Sequence, residues 1–92
     1  MTIKIGDTVT AYNKPWTINN VNTADEVQKE FPEIGIAMKR LGMRLLLVLE
    51  GGTKTIDLGF MRIHGQRNMT TVLVDNAGNF HDPDKVLSKL VQ

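Results

Sequence analysis

Apolar and polar residues alternate at the start of this chain, and the spacing then widens toward helical periods. Thr8-Val9-Thr10-Ala11-Tyr12 is favourable to a strand, and so is Trp16-Thr17-Ile18-Asn19-Asn20-Val21. In the second run Trp16, Ile18 and Val21 face a core, with Thr17 and Asn19 on the opposite side. Asn13-Lys14-Pro15 supplies turn chemistry between them, because proline presets φ and does not fit a central strand. Residues 8–22 are therefore expected to form a β-hairpin.

Thr23-Ala24-Asp25-Glu26 has the spacing of a capping box, in which hydroxyl and carboxylate each satisfy the other residue's backbone amide. A short helix is expected near 24–31, with Val27 and Phe31 on one apolar face and Pro32 ending it. Ile34, Ala37, Met38 and Leu41 then recur at helical spacing before Gly42, a residue suited to a C-cap. Gly35 weakens such a helix, and Ile34 to Met38 also reads as extended. The position of Gly42 favours the helix, over 33–41.

Met43 to Glu50 is the most apolar run and suits a strand buried on both faces. Gly51-Gly52 reads as a tight turn, and Thr53 to Leu58 as the returning strand of a hairpin over 43–58. A further hairpin spans 60–75. In it Phe60, Arg62 and His64 share one face, Gly65-Gln66-Arg67-Asn68 forms a loop and Thr70 to Asp75 a strand. Asn76 to Asn79 is a turn. Asp82 as N-cap and Pro83 at the first helical position open a C-terminal helix over 83–91, with Val86, Leu87, Leu90 and Val91 as its buried stripe. The expected fold is α+β, a small antiparallel and partly barrel-like sheet with short helices at its ends or across one face.

The 92 residues show no repeat or linker, so residues 1–92 are read as a single domain. A domain of this size hides only roughly 60–65% of the surface its unfolded chain exposes, so a partner or second copy would add to its stability. There is no cysteine, which removes disulfides, thiolate metal sites and thiol nucleophiles from consideration. Met1 to Asp7 has no signal-peptide pattern, and the apolar run Leu45 to Leu49 is far shorter than the ~20 residues of a membrane span. The expectation is a cytoplasmic protein without membrane contact.

Charge is unevenly spread. Residues 39–67 carry six basic groups (Lys39, Arg40, Arg44, Lys54, Arg62 and Arg67) against Glu50 and Asp57, a net +4 within a chain of net +1. Residues 1–38 carry a net −2. Arginine forks suit phosphate, and exposed aromatics can stack on bases. Arg62, His64, Arg67, Asn68, Lys39, Arg40 and Arg44 are thus candidates for binding a nucleic acid or a phosphate ligand. Tyr12 and Trp16 flank the first turn and are candidate anchors for a protein contact, although Trp16 also fits a core position at the strand start.

Patterns for chemistry are weak. Gly51-Gly52-Thr53-Lys54-Thr55 lacks the spacing of a phosphate loop and is followed by strand-like alternation. His64, His81, Asp82 and Asp84 match no metal-ligand spacing. Ser88, the only serine, lies in a predicted helix with no nearby histidine, and acid–base work would need Asp57, Asp75, His64 or His81 to converge. No catalytic residue, metal or cofactor is assigned. The expectation is a non-catalytic binding or regulatory protein acting through contact with another protein or a second copy of itself, of the kind of a bacterial or phage accessory factor or inhibitor. The alternative is a nucleic-acid or phosphate-binding module using the basic 39–67 region.

Overall fold

Thr23 ends one strand and starts the first helix, and its geometry shows how. The Glu26 amide donates to Thr23 Oγ1 at 3.2 Å, and the Thr23 amide donates to Glu26 Oε1 at 3.0 Å. The capping box read from the spacing is thus formed, and the carboxyl of Glu26 is held below its ordinary range by the Thr23 amide and hydroxyl. The computed structural model describes residues 3–57 and 59–90, and for residues 52–57, 62–67 and Leu90 it describes the backbone only.

Among the described residues, five strands and three short helices follow in the order β1 (Thr8–Ala11), β2 (Lys14–Thr23), α1 (Ala24–Glu30), α2 (Pro32–Arg40), β3 (Met43–Asp57), β4 (Arg62–Asp75), β5 (Phe80–His81) and α3 (Pro83–Leu87). A 3₁₀ turn, Ser88–Leu90, succeeds α3, so the expected last helix tightens after one α-helical stretch; Val91 lies outside the described residues. Every strand is antiparallel to its neighbour in sequence, and the sheet curls into a half-barrel. The small α+β fold expected from the pattern is the one observed.

Residues 32–40 are helical, with Pro32 at the first position and Gly42, at φ +74°, just past the end. Gly35 faces α1 at a crossing so close that a Cβ there would lie 2.4 Å from the Cβ of Gln28. Phe31 departs from expectation. Helix α1 stops at Glu30, and Phe31 takes φ −132° and ψ 80° between the two helices. The Phe31 amide still donates to the Val27 carbonyl at 2.7 Å, but the non-helical backbone turns its ring outward, so Val27 is buried while Phe31 is 57% exposed.

Over Met43–Glu50 strand β3 buries one face, with Met43, Leu45, Leu47 and Leu49, while Leu46 and Val48 on the other are only half-buried, short of the burial on both faces that its composition suggests. Leu45, Leu47 and Leu49 join Ile18, Val72, Val74 and Ala11 inside the curl, with Trp16, Val21 and Phe80 packed against them. Leu46 lies against a second core of Ala24, Val27, Met38, Met43, Leu73 and Val86, built where the helices cover the outer face. Two register shifts set these sides. Ile18 pairs with Leu49 but Asn20 with Val48, which inserts Asn19 and lets Ile18 and Val21 face inward together. Met43 pairs with Asp75 but Leu45 with Val74, which inserts Arg44 and sends Met43 and Leu45 into different cores.

The expected turn at Gly51-Gly52 and loop at residues 65–68 are replaced by continuing strand, with register shifts between Glu50 and Thr53 and between Thr53 and Thr55. β3 runs through to Asp57 and β4 starts at Arg62, with Gly59 and Phe60 in the bend between them. Phe60 therefore precedes the strand on which it was expected to share a face with Arg62 and His64. Gly51 is explained by packing: a Cβ there would meet the Trp16 ring at 3.0 Å, so the indole lies directly over the backbone. Strand β2 stops pairing at Glu50, and beyond it the chain continues as a two-stranded arm. That arm makes the molecule long, 52 × 31 × 25 Å, with a radius of gyration of 15.6 Å where about 12 Å is usual for this length.

Candidate interaction surfaces

The β1–β2 turn places Tyr12 and Trp16. Tyr12 and Asn13 both take positive φ (52° and 61°), the twist a two-residue hairpin turn requires, and tyrosine is an uncommon choice for it. The Tyr12 hydroxyl donates to the Thr71 carbonyl at 2.8 Å, which ties the turn across the open side of the half-barrel to β4. Burial, and next the carboxylate of Asp82, raise the Tyr12 phenol above its ordinary value. Trp16 is half-buried and its Nε1 donates to the Ala11 carbonyl at 2.8 Å, so the core reading holds for it. A cleft of about 320 Å³ lies beside these two rings, bounded by Lys14, Thr70, Asp82 and Asp84.

The backbone does not bring the basic residues of 39–67 to one place. Lys39 pairs with Asp25 and donates to Gln28 Oε1 at 2.7 Å. That contact holds the Asp25 carboxyl below its ordinary range. Arg40 is exposed in the last turn of α2, and Arg44 Nε donates to the Asp75 carbonyl at 3.3 Å. Arg62, His64 and Arg67 sit on β4 opposite Asp57, Thr55 and Thr53, and their side chains lie outside the described part of the structure. Asn68 is exposed at the base of the arm. At about 3.3 Å per residue, the stretch from Arg44 to Asp57 is roughly 40 Å long. The 39–67 region thus forms two groups of cations at opposite ends of one hairpin.

A histidine–carboxylate contact does form, between residues the spacing did not pair. His81 Nε2 lies 2.8 Å from Asp75 Oδ2, and because a carboxylate only accepts, that nitrogen carries the proton. Asp75 Oδ1 accepts from the amides of Ala77 and Asn79, each at 2.9 Å, and Oδ2 also from Asn79 Nδ2. These contacts, His81 first and the Asn79 amide next, lower the Asp75 carboxyl to about 2. The carboxylate closes the β4–β5 turn as a local acceptor hub, and Ser88, whose hydroxyl donates to the Lys85 carbonyl, takes no part. An aspartate just before Asn-Ala-Gly-Asn is the signal that reveals such a hub.

The sign of the pH effect follows. A carboxyl with a depressed folded value contributes stability above its unfolded value of about 3.9 and loses that contribution as the pH falls toward 2. Asp75→Asn is expected to lower stability by a constant amount above about pH 5. The gap from the wild type should narrow between about pH 4 and pH 2, as followed by thermal melts across that range. A gap independent of pH would show that the ionised form is not what holds the turn.

Two further surfaces were not foreseen. One is the arm tip, where Phe60 is 85% and Met61 51% exposed; Met69, at the arm's base, is equally exposed. The other is a groove of about 470 Å³ between α1 and the outer face of β2 and β3, with Val27, Phe31, Leu46 and Val48 in its floor beside Asn20 and Asn22, and Glu26, Lys29 and Glu30 along its edge. Among the described residues, no group of three histidines or carboxylates is placed to hold a metal ion, and no helix is long and apolar enough to cross a membrane. Compared with known proteins, the chain matches no family model, no curated sequence and no solved structure.

Proposed function

We propose that the chain is a non-catalytic binding protein that acts by contact with another protein, in an accessory or inhibitory role. The observation that carries this reading is the arm. A chain of 92 residues extends fourteen- and fifteen-residue strands past its own sheet and ends them in a phenylalanine that touches almost nothing. Burying a phenylalanine is worth about 2–3 kcal/mol, and large rings at protruding positions commonly anchor interfaces. The Asp75–His81 contact does not compete with this reading, because its hydrogen bonds are used within a turn.

Nucleic-acid binding is the second reading, favoured by Lys54, Arg62 and Arg67 on a ribbon of a width that a major groove admits. The division of the cations and the pairing of Lys39 weigh against it.

The test is retention on the immobilised chain from a lysate of its source cells, compared with Phe60→Ser/Met61→Ser. Both positions are exposed, so the variant should keep its melting temperature to within a few degrees. The wild type is expected to hold a protein in stoichiometric amount, and the variant about tenfold less. Equal retention by both, or none by either, would end the protein-contact reading. Retention of nucleic acid that falls steeply with salt would put the second reading in its place.

A further inference from the structure

Resting on the protein-contact reading, we propose that the α1 groove and the arm are two halves of one interface, and that the groove receives the arm of a second copy of this chain. The two surfaces complement each other. The groove has an apolar floor in which Phe31 is more than half exposed, and a second hollow of about 380 Å³ continues past Phe31 and Pro32 to Glu33. Among the described residues, Glu30 and Glu33 have no ion-pair partner, and Glu26, Glu30 and Glu33 against Lys29 leave the lining of the two hollows with a net −2. The arm offers the converse: Phe60 and Met61 exposed at its tip, and Lys54, Arg62 and Arg67 against Asp57 along residues 51–68, a net +2.

A single molecule cannot make this contact. Leu46 and Val48 lie in the groove on β3, and the same strand continues without a turn to Asp57. At about 3.3 Å per residue the tip stands roughly 30 Å from its own groove and points away from it. Two copies placed antiparallel about a two-fold axis satisfy both grooves with both arms. Each contact then occurs twice, as a self-complementary dimer requires. Such pairing covers Phe60 and Phe31 together and adds buried area to a small core.

Sedimentation equilibrium on the purified 92-residue chain, from micromolar to near-millimolar concentration, tests this. The wild type is expected to form a dimer that weakens with added salt. Glu30→Lys/Glu33→Lys places cation against cation, and Lys54→Glu/Arg62→Glu places anion against anion. Each variant alone should dimerise about tenfold more weakly or worse, with an unchanged circular dichroism spectrum. Mixed in equal amounts, the two variants match arm to groove in both contacts and should restore the dimer. A wild type that stays monomeric throughout would overturn the proposal, as would a dimer indifferent to both reversals or a mixture that fails to recover. Loss of lysate capture in the Phe60 variant alongside a monomeric wild type would leave the protein-contact reading standing and remove only this one.

Discussion

Gly35→Ala is expected to destabilise the protein by about 3 kcal/mol, although alanine is the better helix former by about 1 kcal/mol. The reason is the α1–α2 crossing. An added Cβ would lie 2.4 Å from the Cβ of Gln28, 2.5 Å from its Cα and 2.6 Å from its backbone nitrogen. A flexible side-chain end could move aside, but a backbone cannot without carrying α1 with it. Helix α1 holds Ala24 and Val27 in the outer core beside Met38 of α2, so separating the helices opens that core. The midpoint of urea unfolding should fall at unchanged slope, and melting should drop by roughly 10–20 °C. Ile36→Ala, an exposed change on the same helix, should stay within about 0.5 kcal/mol. A stabilised Gly35→Ala protein would mean that the helices do not approach as described.

Leu47→Ala is expected to have the largest effect in the sheet, about 3–4 kcal/mol. Leu47 has no exposed surface, pairs with Val21 on one side and Val72 on the other, and lies at the middle of the inner core. Strands on both sides hold its backbone, so the surroundings cannot collapse freely into the space left by three carbons. Total stability for a chain of this length is about 5–14 kcal/mol, so the loss is a large part of it. Chemical unfolding monitored by the single tryptophan measures it directly, since Trp16 packs against the same cluster. A loss under about 1 kcal/mol would show that this cluster is not the stabilising centre.

Local rules made much of this fold legible. Thr23 and Glu26 state a helix start, Gly42 a helix end, Asp82 and Pro83 another start, and each depends on residues within four positions. Gly51 misleads because its cause lies 35 positions away, in the ring of Trp16. A glycine at this position fits a hairpin turn and a strand beneath an indole equally well, and only the packed structure separates the cases. The same holds for the candidate sites. Tyr12 and Trp16 could be singled out as aromatic residues beside a turn, but the tie from Tyr12 to Thr71 crosses the half-barrel. The basic region looked like a patch because its members are near in sequence. A long extended hairpin turns such nearness into distance.

The strand order has a kinetic consequence. Because β1 to β5 pair strictly with their neighbours along the chain, no strand must wait for a distant one to arrive. The largest gap to be closed between paired strands is the α1–α2 insertion between β2 and β3, and loop-closure entropy grows only slowly with length. The sheet can therefore zip outward from the β3–β4 hairpin, which places this chain toward the faster end for a mostly β protein. Few partly folded states with long open edges need accumulate on the way.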